Sequence, residues 1–377
     1  MNQKHLFSED TPEQNLPEHV PPNLANQGEG EDAPPADDLY EHQEFVADPK
    51  QGQIRLDKFL IDRLSNRSRN KVQNAIRAGS VKVDDREVKP NYKVKPGNVV
   101  TIVLPKSLEE VYDITPQNIP LDIVFEDEDI LIVNKPFGLA VHPGVGIPNN
   151  TLVNAVAWHL QEGMKKLPVK EGNDSNRAGI VHRIDKDTTG LMVIAKNDYA
   201  MTHLARQFYD HTIERKYWAI VWGDMEGDRG TIRGSIGRNP NDRRLFMVFP
   251  DPEDGKWAVT HWRVLERFYY VTLIECQLET GRTHQIRVHM KSIGHTLFGD
   301  PRYGGNQILK GTLYSKYKQF VENCLAITPR QALHAKTLGF THPRTGEFVR
   351  FESPLPNDMQ QVIDKWRAYV NARKEQI

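Results

Sequence analysis

The sequence predicts an α+β fold in two parts. A small unit of two helices and a few strands precedes a larger domain built from a mixed, largely antiparallel β-sheet with flanking helices. Two observations favour this class. Short runs rich in β-branched and aromatic residues outnumber helical patterns between residues 119 and 377. A doubly wound parallel fold requires a helix after nearly every strand, and many of these runs are not followed by a helical pattern.

The composition is that of an ordinary globular protein, with 377 residues of which 38% are hydrophobic and 26% charged. Residues 1–10 contain no apolar signal core, and no stretch is long and apolar enough to predict a membrane span. Cys276 and Cys324 are the only cysteines, so neither a disulfide framework nor a paired-thiol metal motif is expected. We therefore expect a protein of the reducing cytoplasm.

Charge is distributed unevenly along the chain. Residues 1–50 carry 12 acidic and 2 basic residues, out of totals of 50 and 49, which leaves residues 51–377 with a net charge of +9. Because residues 1–50 are also rich in Pro, Gln and Asn and poor in large apolar side chains, they predict an acidic, disordered leader. The basic remainder predicts an anionic partner, of which nucleic acid is the first candidate.

Residues 51–105 predict a compact unit of two helices followed by strands. Apolar side chains recur at helical spacing in two segments, 56–64 and 72–76, and Gly79 is a candidate helix stop. Alternating valines then predict strands around the turn at 84–85, and a last strand is predicted at 99–104.

Twelve basic residues and only five acidic ones lie between Arg55 and Lys95. Such an excess of one sign on two short helices favours phosphate binding over an ordinary solvated face. The unit resembles an S4 domain, a module that recognises folded RNA through the shape of its backbone. The predicted RNA-binding residues are Arg55, Lys58, Arg67, Arg69, Lys71 and Arg77.

Residues 106–118 predict a linker, and residues 119–377 predict a single larger domain. The predicted helices span 151–160, 199–209 and 359–373, and the first predicted strands span 121–125, 130–134 and 191–195. Six further β-like runs lie between residues 216 and 290, and the last of them, 283–290, contains Arg287.

The stretch 178–197 carries the first candidate for a chemical role. The tetrad HRID (182–185) precedes a polar turn that ends at Gly190, and an apolar run at 191–195 predicts a core strand directly behind the turn. Asp185 is thus held beside buried structure between two basic side chains, a setting that can keep a carboxylate ionised and oriented. An Asp in a turn is more often a capping residue, so position alone does not establish catalysis.

Three stretches together carry a family resemblance: HRIDKDTTG (182–190), ERKYWAIVWG (214–223) and LETGRTHQIRVHMKSIGHTLFGDPRYGG (278–305). The order and the sequences of these stretches resemble the RluA/RluD-type RNA pseudouridine synthases, which isomerise uridine in RNA. The resemblance is strongest to the D-type enzymes, which act on large-subunit ribosomal RNA. The resemblance runs from residue 53 to about residue 366 and includes RQALHAKTLGFTHP (330–343). It implies an RNA partner, either large-subunit ribosomal RNA or an assembling subunit, and leaves the oligomeric state open.

The same resemblance implies roles for individual residues. The catalytic aspartate falls on Asp185, the active-site tyrosine on Tyr217, and the basic partner of the aspartate on Arg287. Arg183 corresponds to the side chain that enters the RNA stack in place of the flipped uridine. Ile184 stands where the family commonly has Leu, which is a conservative difference. The candidate substrate-binding residues are Arg183, His182, Arg282 and His284.

Pseudouridine formation breaks the glycosidic bond and rejoins the ribose to carbon 5 of the same uracil. A carboxylate can attack the sugar or abstract a ribose proton, and either role needs an ionised group near the base. Because burial alone would raise the pKa of Asp185, an arginine partner is expected to keep it charged. The reaction is redox-neutral and keeps every atom, so no cofactor, nucleotide or metal is expected.

Other interpretations remain for several residues. Without the resemblance, Tyr217 would be read as a core or rim tyrosine, and Arg287 as a surface salt-bridge residue on a strand. The histidines at 284, 289 and 295 invite a zinc hypothesis. A separation of five on a strand would place the first two on opposite faces, and no Cys lies at ligand spacing.

Two other functions stay open at this point. A non-catalytic ribosome-assembly factor would use the same basic surface and S4-like unit but leave the pocket idle. A hydrolase that uses a carboxylate and a histidine, such as Asp185 and His182, would release free uracil, which an isomerase does not.

Overall fold

The computed structural model describes residues 40–64, 69–105, 114–144, 147–164 and 179–374. We refer to residues 40–105 as the N-terminal unit and to residues 114–374 as the C-terminal unit. The predicted α+β class and the order of the two units are confirmed. Within the described ranges, no helix combines the length and the apolar character needed to cross a membrane.

The described residues of the N-terminal unit, 40–64 and 69–105, form two helices and six strands. Its elements are β1 (Tyr40–Val46), β2 (Ile54–Arg55), α1 (Leu56–Ile61), α2 (Arg69–Arg77), β3 (Val81–Val83), β4 (Arg86–Glu87), β5 (Lys93–Val94) and β6 (Val99–Pro105). Strands β1, β6, β3 and β4 form one antiparallel sheet in that order. The helices cover this sheet, because Leu56, Phe59 and Leu60 of α1 share one buried cluster with Val100 and Ile102 of β6.

β1 corrects the predicted boundary of the acidic leader. Residues 40–46 were assigned to that leader, but they pair with the whole length of β6, from Tyr40 opposite Pro105 to Val46 opposite Val99. The outer edge of β6 offers backbone partners that composition alone does not reveal. Residues 1–39 of the predicted leader, residues 106–113 of the predicted linker and the predicted RNA-binding residue Arg67 lie outside the described residues.

The C-terminal unit is organised around one large sheet. Its elements are β7 (Ile123–Glu126), β8 (Ile130–Lys135), α3 (Leu152–Met164), β9 (Gly179–Ile180), β10 (Thr189–Ala195), α4 (Asp198–Tyr209), β11 (Glu214–Trp222), β12 (Arg229–Arg238), β13 (Phe246–Phe249), β14 (Lys256–Arg267), β15 (Val271–Leu278), α5 (Gln285–Ser292), α6 (Ser315–Ile327), β16 (Leu333–Thr341), β17 (Phe348–Glu352) and α7 (Asn357–Lys374). The sheet has 11 strands in the order β13-β12-β14-β15-β11-β16-β10-β8-β7, with β9 beside β10 and β17 beside β16. Among these named strands only β10 and β16 pair in parallel.

Both faces of the sheet are buried at its centre, where β11 lies. Ile220 and Trp222 of β11 belong to a cluster with α6 and α7. Tyr217, Ala219 and Val221 point to the opposite face and belong to the largest core cluster. This alternation follows from the two-residue period of a strand, and it places Tyr217 on the face away from the C-terminal helices.

The predicted strand at 283–290 is wrong, because this segment forms helix α5. Residues 285–290 are all buried, so their apolar pattern fits a strand and a helix equally well, and tertiary packing decides between them. His284 is the N-cap residue of α5 and His289 lies inside it, so the opposite faces assigned to these two histidines do not apply.

Helix α4 joins the two units. The hydroxyl of Ser80 donates a hydrogen bond of 3.3 Å to the carbonyl of Thr202, and the Arg206 guanidinium hydrogen-bonds the carbonyl of Gly79. The rings of His42 in β1 and Tyr209 stack with their centroids 5.5 Å apart. The N-terminal unit therefore rests on the same helix that packs behind β10.

Candidate active site

One pocket gathers all seven residues that were predicted to act in catalysis or substrate binding. It opens between the start of β11, the loop that precedes β10, and the segment that leads into α5. The predicted residues that line it are His182, Arg183, Asp185, Tyr217, Arg282, His284 and Arg287. Asp185 and Arg287, which are 102 positions apart in the chain, thus meet at one site. They do so because β10, β11 and β15 lie close together in the sheet.

Arg287 lies between two carboxylates at the base of this pocket. Its Nη1 donates to Oδ2 of Asp185 at 2.9 Å, while Nε and Nη2 donate to the two oxygens of Asp300 at 2.8 and 3.0 Å. Arg287 is 1% exposed and Asp300 is fully buried. This fork fixes the guanidinium plane, so its remaining edge is aimed at Asp185.

Asp185 is held as a carboxylate. Burial would raise its pKa, but the neighbouring His284 and Arg287, together with the hydrogen bond from Arg287, outweigh burial and lower the pKa to about 2. Asp185 is therefore ionised at neutral pH. An ionised carboxylate in a largely desolvated pocket is suited to act as a nucleophile or a base.

Two buried basic side chains hold the loop that contains this carboxylate. We call residues 185–189 the Asp185 loop. Lys135, at the end of β8, donates to the carbonyl of Lys186 at 2.8 Å and also to those of Pro136 and Leu139. Arg330 donates to the carbonyl of Asp187 at 3.0 Å. The loop is thereby anchored through its backbone, which leaves the Asp185 side chain to face the pocket.

Gly190 directly follows the Asp185 loop and lies opposite Ala335, where β10 pairs with β16. Its φ is +114°, and a Cβ atom at this position would lie 2.3 Å from the carbonyl oxygen of Ala335. Any side chain here would push the two strands apart. The close strand pair sets the depth at which Asp185 sits.

Tyr217 lies on β11 with its ring in the pocket wall and 7% of its surface exposed. Burial raises the pKa of its phenol and outweighs the opposite effect of the Arg215 charge, so the hydroxyl stays protonated at neutral pH. Without the family resemblance, Tyr217 would be a core or rim tyrosine. Its ring does belong to the core cluster, but it also lines the pocket.

His182 has a different environment from the other predicted contacts. Its Nε2 accepts the backbone N–H of Val193 at 3.0 Å, and its ring stacks on Phe208 at 4.6 Å. Burial and the charge of Arg215 lower its pKa to about 3, so the ring is neutral. His182 therefore ties the HRID segment to β10 rather than presenting Nε2 to the pocket.

The predicted RNA-binding residues of the N-terminal unit fall into two groups. Arg55 and Arg69 approach the buried carboxylate of Asp57 at 2.9 and 3.6 Å, so part of their charge is balanced within the unit. Lys58 and Arg77 are exposed, and Lys71 is half-buried. Lys58 and Arg77 are thus better placed than Arg55 and Arg69 to meet an anionic partner.

Sequence reasoning did not single out several residues that shape the site. Arg215 lies two residues before Tyr217 on the same face of β11 and lines the pocket. Asp300 and Tyr303 come from the GDPRYGG end of the third motif, to which no residue role was assigned. Lys135 follows a buried strand, and this apolar context was the one available signal that its ammonium would be buried.

His284, His289 and His295, which invited the zinc hypothesis, are not grouped as potential metal ligands. Within the described ranges, the group that could hold a metal ion is instead Asp127, Asp129 and His342. These side chains already have partners, since Nε2 of His342 lies 2.8 Å from Asp127 and the Arg344 guanidinium pairs with Asp129. They do not line the pocket.

Lys135→Met is expected to lower the free energy of unfolding by about 2 to 4 kcal/mol, because two buried carbonyls and a third, partly buried one lose their donor. Urea unfolding at pH 7 measures the change. Lys318→Met is the control, since its ammonium is exposed and lies 3.8 Å from Glu322 in a surface ion pair. That control should change stability by less than about 0.5 kcal/mol. Equal effects of the two substitutions would contradict an anchoring role for Lys135.

Known proteins identify the class to which this architecture belongs. Residues 129–292 match the RNA pseudouridylate synthase family, and residues 54–100 match the S4 domain. An RNA pseudouridine synthase of Bacillus subtilis strain 168, described as uncharacterized, is 46% identical over 86% of this chain and 98% of its own length. The chain therefore belongs to the RNA pseudouridine synthases, and it is an isomerase that acts on RNA.

Two further proteins of known name are similar to this chain. The ribosomal large subunit pseudouridine synthase D of Vibrio vulnificus strain CMCP6 is 43% identical over 85% of this chain and 93% of its own length. The solved structure of human RNA pseudouridylate synthase domain containing 4 superimposes with a TM-score of 0.52 at 24% identity. It covers 65% of this chain and 92% of its own, and supports the fold.

Proposed function

We propose that this enzyme isomerises specific uridines of large-subunit ribosomal RNA and that Asp185 is its catalytic carboxylate. The observation that carries the proposal is the ion pair of 2.9 Å between Asp185 and the buried Arg287 inside a pocket that also holds Tyr217. The printed name of the Vibrio relative supports ribosomal RNA as the substrate. Such a substrate would place the protein in the cytoplasm.

In the proposed mechanism the target uridine leaves its helix and enters the pocket. Extrusion of a base costs a few kcal/mol. Arg183, at the pocket rim, fills the vacated position in the RNA stack, and the Tyr217 ring gives the uracil a face on which to stack. Arg282 and Arg215 add positive charge to the pocket, which suits the phosphates that flank the flipped nucleotide.

Asp185 then acts on the ribose, either by attack on the sugar or by removal of a ribose proton, and the glycosidic bond breaks. The uracil turns within the pocket until its carbon 5 faces the sugar, and the new carbon–carbon bond forms. As this bond forms, Asp185 leaves the sugar or returns the ribose proton. Carbon 5 then loses its proton and nitrogen 1 of the uracil gains one. We assign the relay of this proton to the Tyr217 hydroxyl, which lines the pocket and releases its own proton as it takes up another. No atom is gained or lost.

The hydrolase alternative is less well supported by the geometry. It would need His182 as a base beside Asp185, yet Nε2 of His182 accepts the Val193 N–H and the ring is stacked on Phe208. The assembly-factor alternative would give no reason for a buried arginine to hold an ionised carboxylate at the base of an open pocket.

The test is pseudouridine mapping of ribosomal and transfer RNA from cells with the intact gene, a deletion, or Asp185→Ala. Loss of the same large-subunit sites in both mutants is expected. An unchanged map, with ribosome assembly disturbed only by the deletion, would favour the assembly factor. Release of uracil from RNA by the purified protein would favour the hydrolase.

The double substitution Lys58→Glu and Arg77→Glu should weaken RNA binding by about 10-fold or more, because two exposed cations of the N-terminal unit become anions. The slope of log affinity against log salt should fall by about 2. Titration of a ribosomal RNA fragment at several salt concentrations measures both quantities. Lys318→Glu with Lys365→Glu reverses two charges on α6 and α7 and should leave affinity within about twofold. Equal losses from both pairs would contradict a specific RNA-binding surface on the N-terminal unit.

A further inference from the structure

His284 occupies an unusual position between Asp185 and Tyr303. It is the N-cap residue of α5, and its backbone is left-handed, with φ of 55° and ψ of 21°. A residue other than glycine adopts this conformation at some cost, and such residues concentrate at functional sites. The imidazole is buried, with Nδ1 2.8 Å from the Tyr303 hydroxyl and Nε2 4.0 Å from Oδ2 of Asp185.

One of the two hydrogen bonds at the Tyr303 hydroxyl has a fixed direction. The backbone N–H of Phe246 in β13 donates to the Tyr303 oxygen at 3.1 Å. The oxygen is therefore an acceptor for Phe246, and its own proton is available for the Nδ1 atom of His284. Burial raises the pKa of Tyr303, so this proton is retained at neutral pH.

A hydrogen bond donated by Tyr303 to Nδ1 has a consequence for the protonation of His284. Burial lowers the pKa of His284 well below its usual value, and the positive charge of Arg287 lowers it further, so the imidazole is neutral. A neutral imidazole has one N–H, and when Nδ1 accepts from Tyr303 the proton must lie on Nε2. Nε2 is the atom that faces Asp185.

We propose that Tyr303 is a positioning residue that fixes the Nε2–H tautomer of His284, so that the imidazole offers Asp185 a second donor beside Arg287. The inference deepens the proposed function and rests on it for its catalytic part. In the RNA complex the separation of 4.0 Å should shorten to a hydrogen bond, as catalytic contacts commonly do when substrate fills a site.

Ring packing keeps His284 in place. Its ring meets those of Tyr303 and Phe246 edge to face, with both pairs of centroids 5.6 Å apart. The guanidinium of Arg287 lies 5.1 Å from the Tyr303 ring centroid. Since Phe246 belongs to β13, the hairpin β12–β13 supplies both the amide that orients Tyr303 and an edge that supports the imidazole.

The tautomer of His284 determines whether an N–H or a lone pair of its imidazole faces the Asp185 carboxylate. In the Nε2–H form a donor points at Asp185, whereas in the Nδ1–H form a lone pair would face the negative oxygen and repel it. The wrong tautomer would leave Asp185 with one donor and a less defined orientation. It should therefore reduce kcat more than it changes KM.

Tyr303→Phe tests the inference, because it removes the hydroxyl and keeps the ring over Arg287. With a ribosomal RNA fragment as substrate, kcat should fall by at least about tenfold while KM stays within about threefold. Tyr317→Phe is the control, since the hydroxyl of Tyr317 donates to the carbonyl of Lys310 at 2.8 Å and does not line the pocket. It should leave kcat unchanged.

A double-mutant cycle separates positioning from a merely structural role. His284→Gln replaces the imidazole by an amide that offers an N–H donor whatever Tyr303 does. In that background Tyr303→Phe should change kcat by less than about twofold. Additive losses in the cycle, or an unchanged kcat for Tyr303→Phe alone, would overturn the inference.

Nitrogen-15 NMR of labelled histidine reads the tautomer without any activity, with the His284 signals assigned by their loss in His284→Gln. The proton should lie on Nε2 in the unsubstituted protein and should be shared between the nitrogens in Tyr303→Phe. A proton on Nδ1 in the unsubstituted protein would overturn the inference even if the enzyme is active. If the proton lies on Nε2 as expected but the protein makes no pseudouridine, the proposed function is overturned and the inference about the tautomer is not.

Discussion

Asp185→Asn is expected to reduce pseudouridine formation by at least about 10³-fold while RNA affinity changes little. The amide has nearly the same shape as the carboxylate and can still contact Arg287, but it can neither attack the sugar nor remove a ribose proton. Single-turnover kinetics with a ribosomal RNA fragment measure the rate, and a filter-binding titration of the same fragment measures the affinity.

Asp187→Asn is the matched control for that experiment. It changes a carboxylate two residues away in the same loop, but Asp187 does not line the pocket, and its contact with Arg330 is made by the backbone carbonyl. Its rate should stay within about tenfold of the unsubstituted enzyme. A similar loss in both variants would mean that the charge of the loop matters and that Asp185 has no special role.

Arg287→Met is expected to have the second-largest effect, and it should act on stability as well as on rate. The substitution leaves the buried Asp300 and the pocket-facing Asp185 without the cation that lies between them. Loss of one partner from a buried ion pair destabilises a protein by about 3 to 5 kcal/mol. Urea unfolding at pH 7 measures this change, and Arg263→Met is its control. Arg263 is 59% exposed, and its pair with Glu275 should contribute less than about 1 kcal/mol.

The pH dependence of Arg287→Met gives a second, independent result. In the unsubstituted enzyme Asp185 has a pKa of about 2, so kcat/KM should show no titration of this group between about pH 5 and 9. Without Arg287, burial raises the pKa of Asp185, the ionised fraction falls as pH falls, and the rate at the acid end of this range should decline. A profile as flat as that of the unsubstituted enzyme would contradict the role assigned to Arg287.

The same ion pair links folding stability to pH. The pKa of Asp185 is lower in the folded state than its ordinary value of 3.8, so its contribution to stability is present above about pH 4. This contribution is lost as pH falls toward 2, because the folded state then has to bind the proton that the unfolded state already carries. Arg287→Met should lose this part of the acid sensitivity.

Much of the architecture could be predicted because it depends on local pattern. The helices near 151–160, 199–209 and 359–373 and the strand at 191–195 correspond to α3, α4, α7 and β10. The seven candidate residues for catalysis and substrate binding lie in the three motifs that carry the family resemblance, and the structure brings these seven into one pocket.

The remainder depends on contacts between distant segments. Arg287 was placed on a strand, since an evenly buried segment gives no period from which to choose between strand and helix. Asp185 was expected as a partner of Arg287 from the family resemblance, but the second partner, Asp300, and the partners of Lys135 were not. Asp300 and the carbonyl of Lys186 reach these two side chains only after the sheet has formed. His182 was a candidate substrate contact. The HRID motif does not indicate that Nε2 of His182 accepts a hydrogen bond from the backbone of β10.

β1 has a practical consequence for any shortened form of the chain. A protein that begins at residue 51 would match the predicted start of the S4-like unit, but it would remove the outer strand of the first sheet. β6, with the sequence VVTIVLP, would then become the edge, and its unpaired backbone groups and apolar side chains would be open to other chains. Such a truncation should aggregate, so an expression boundary before Tyr40 protects the sheet.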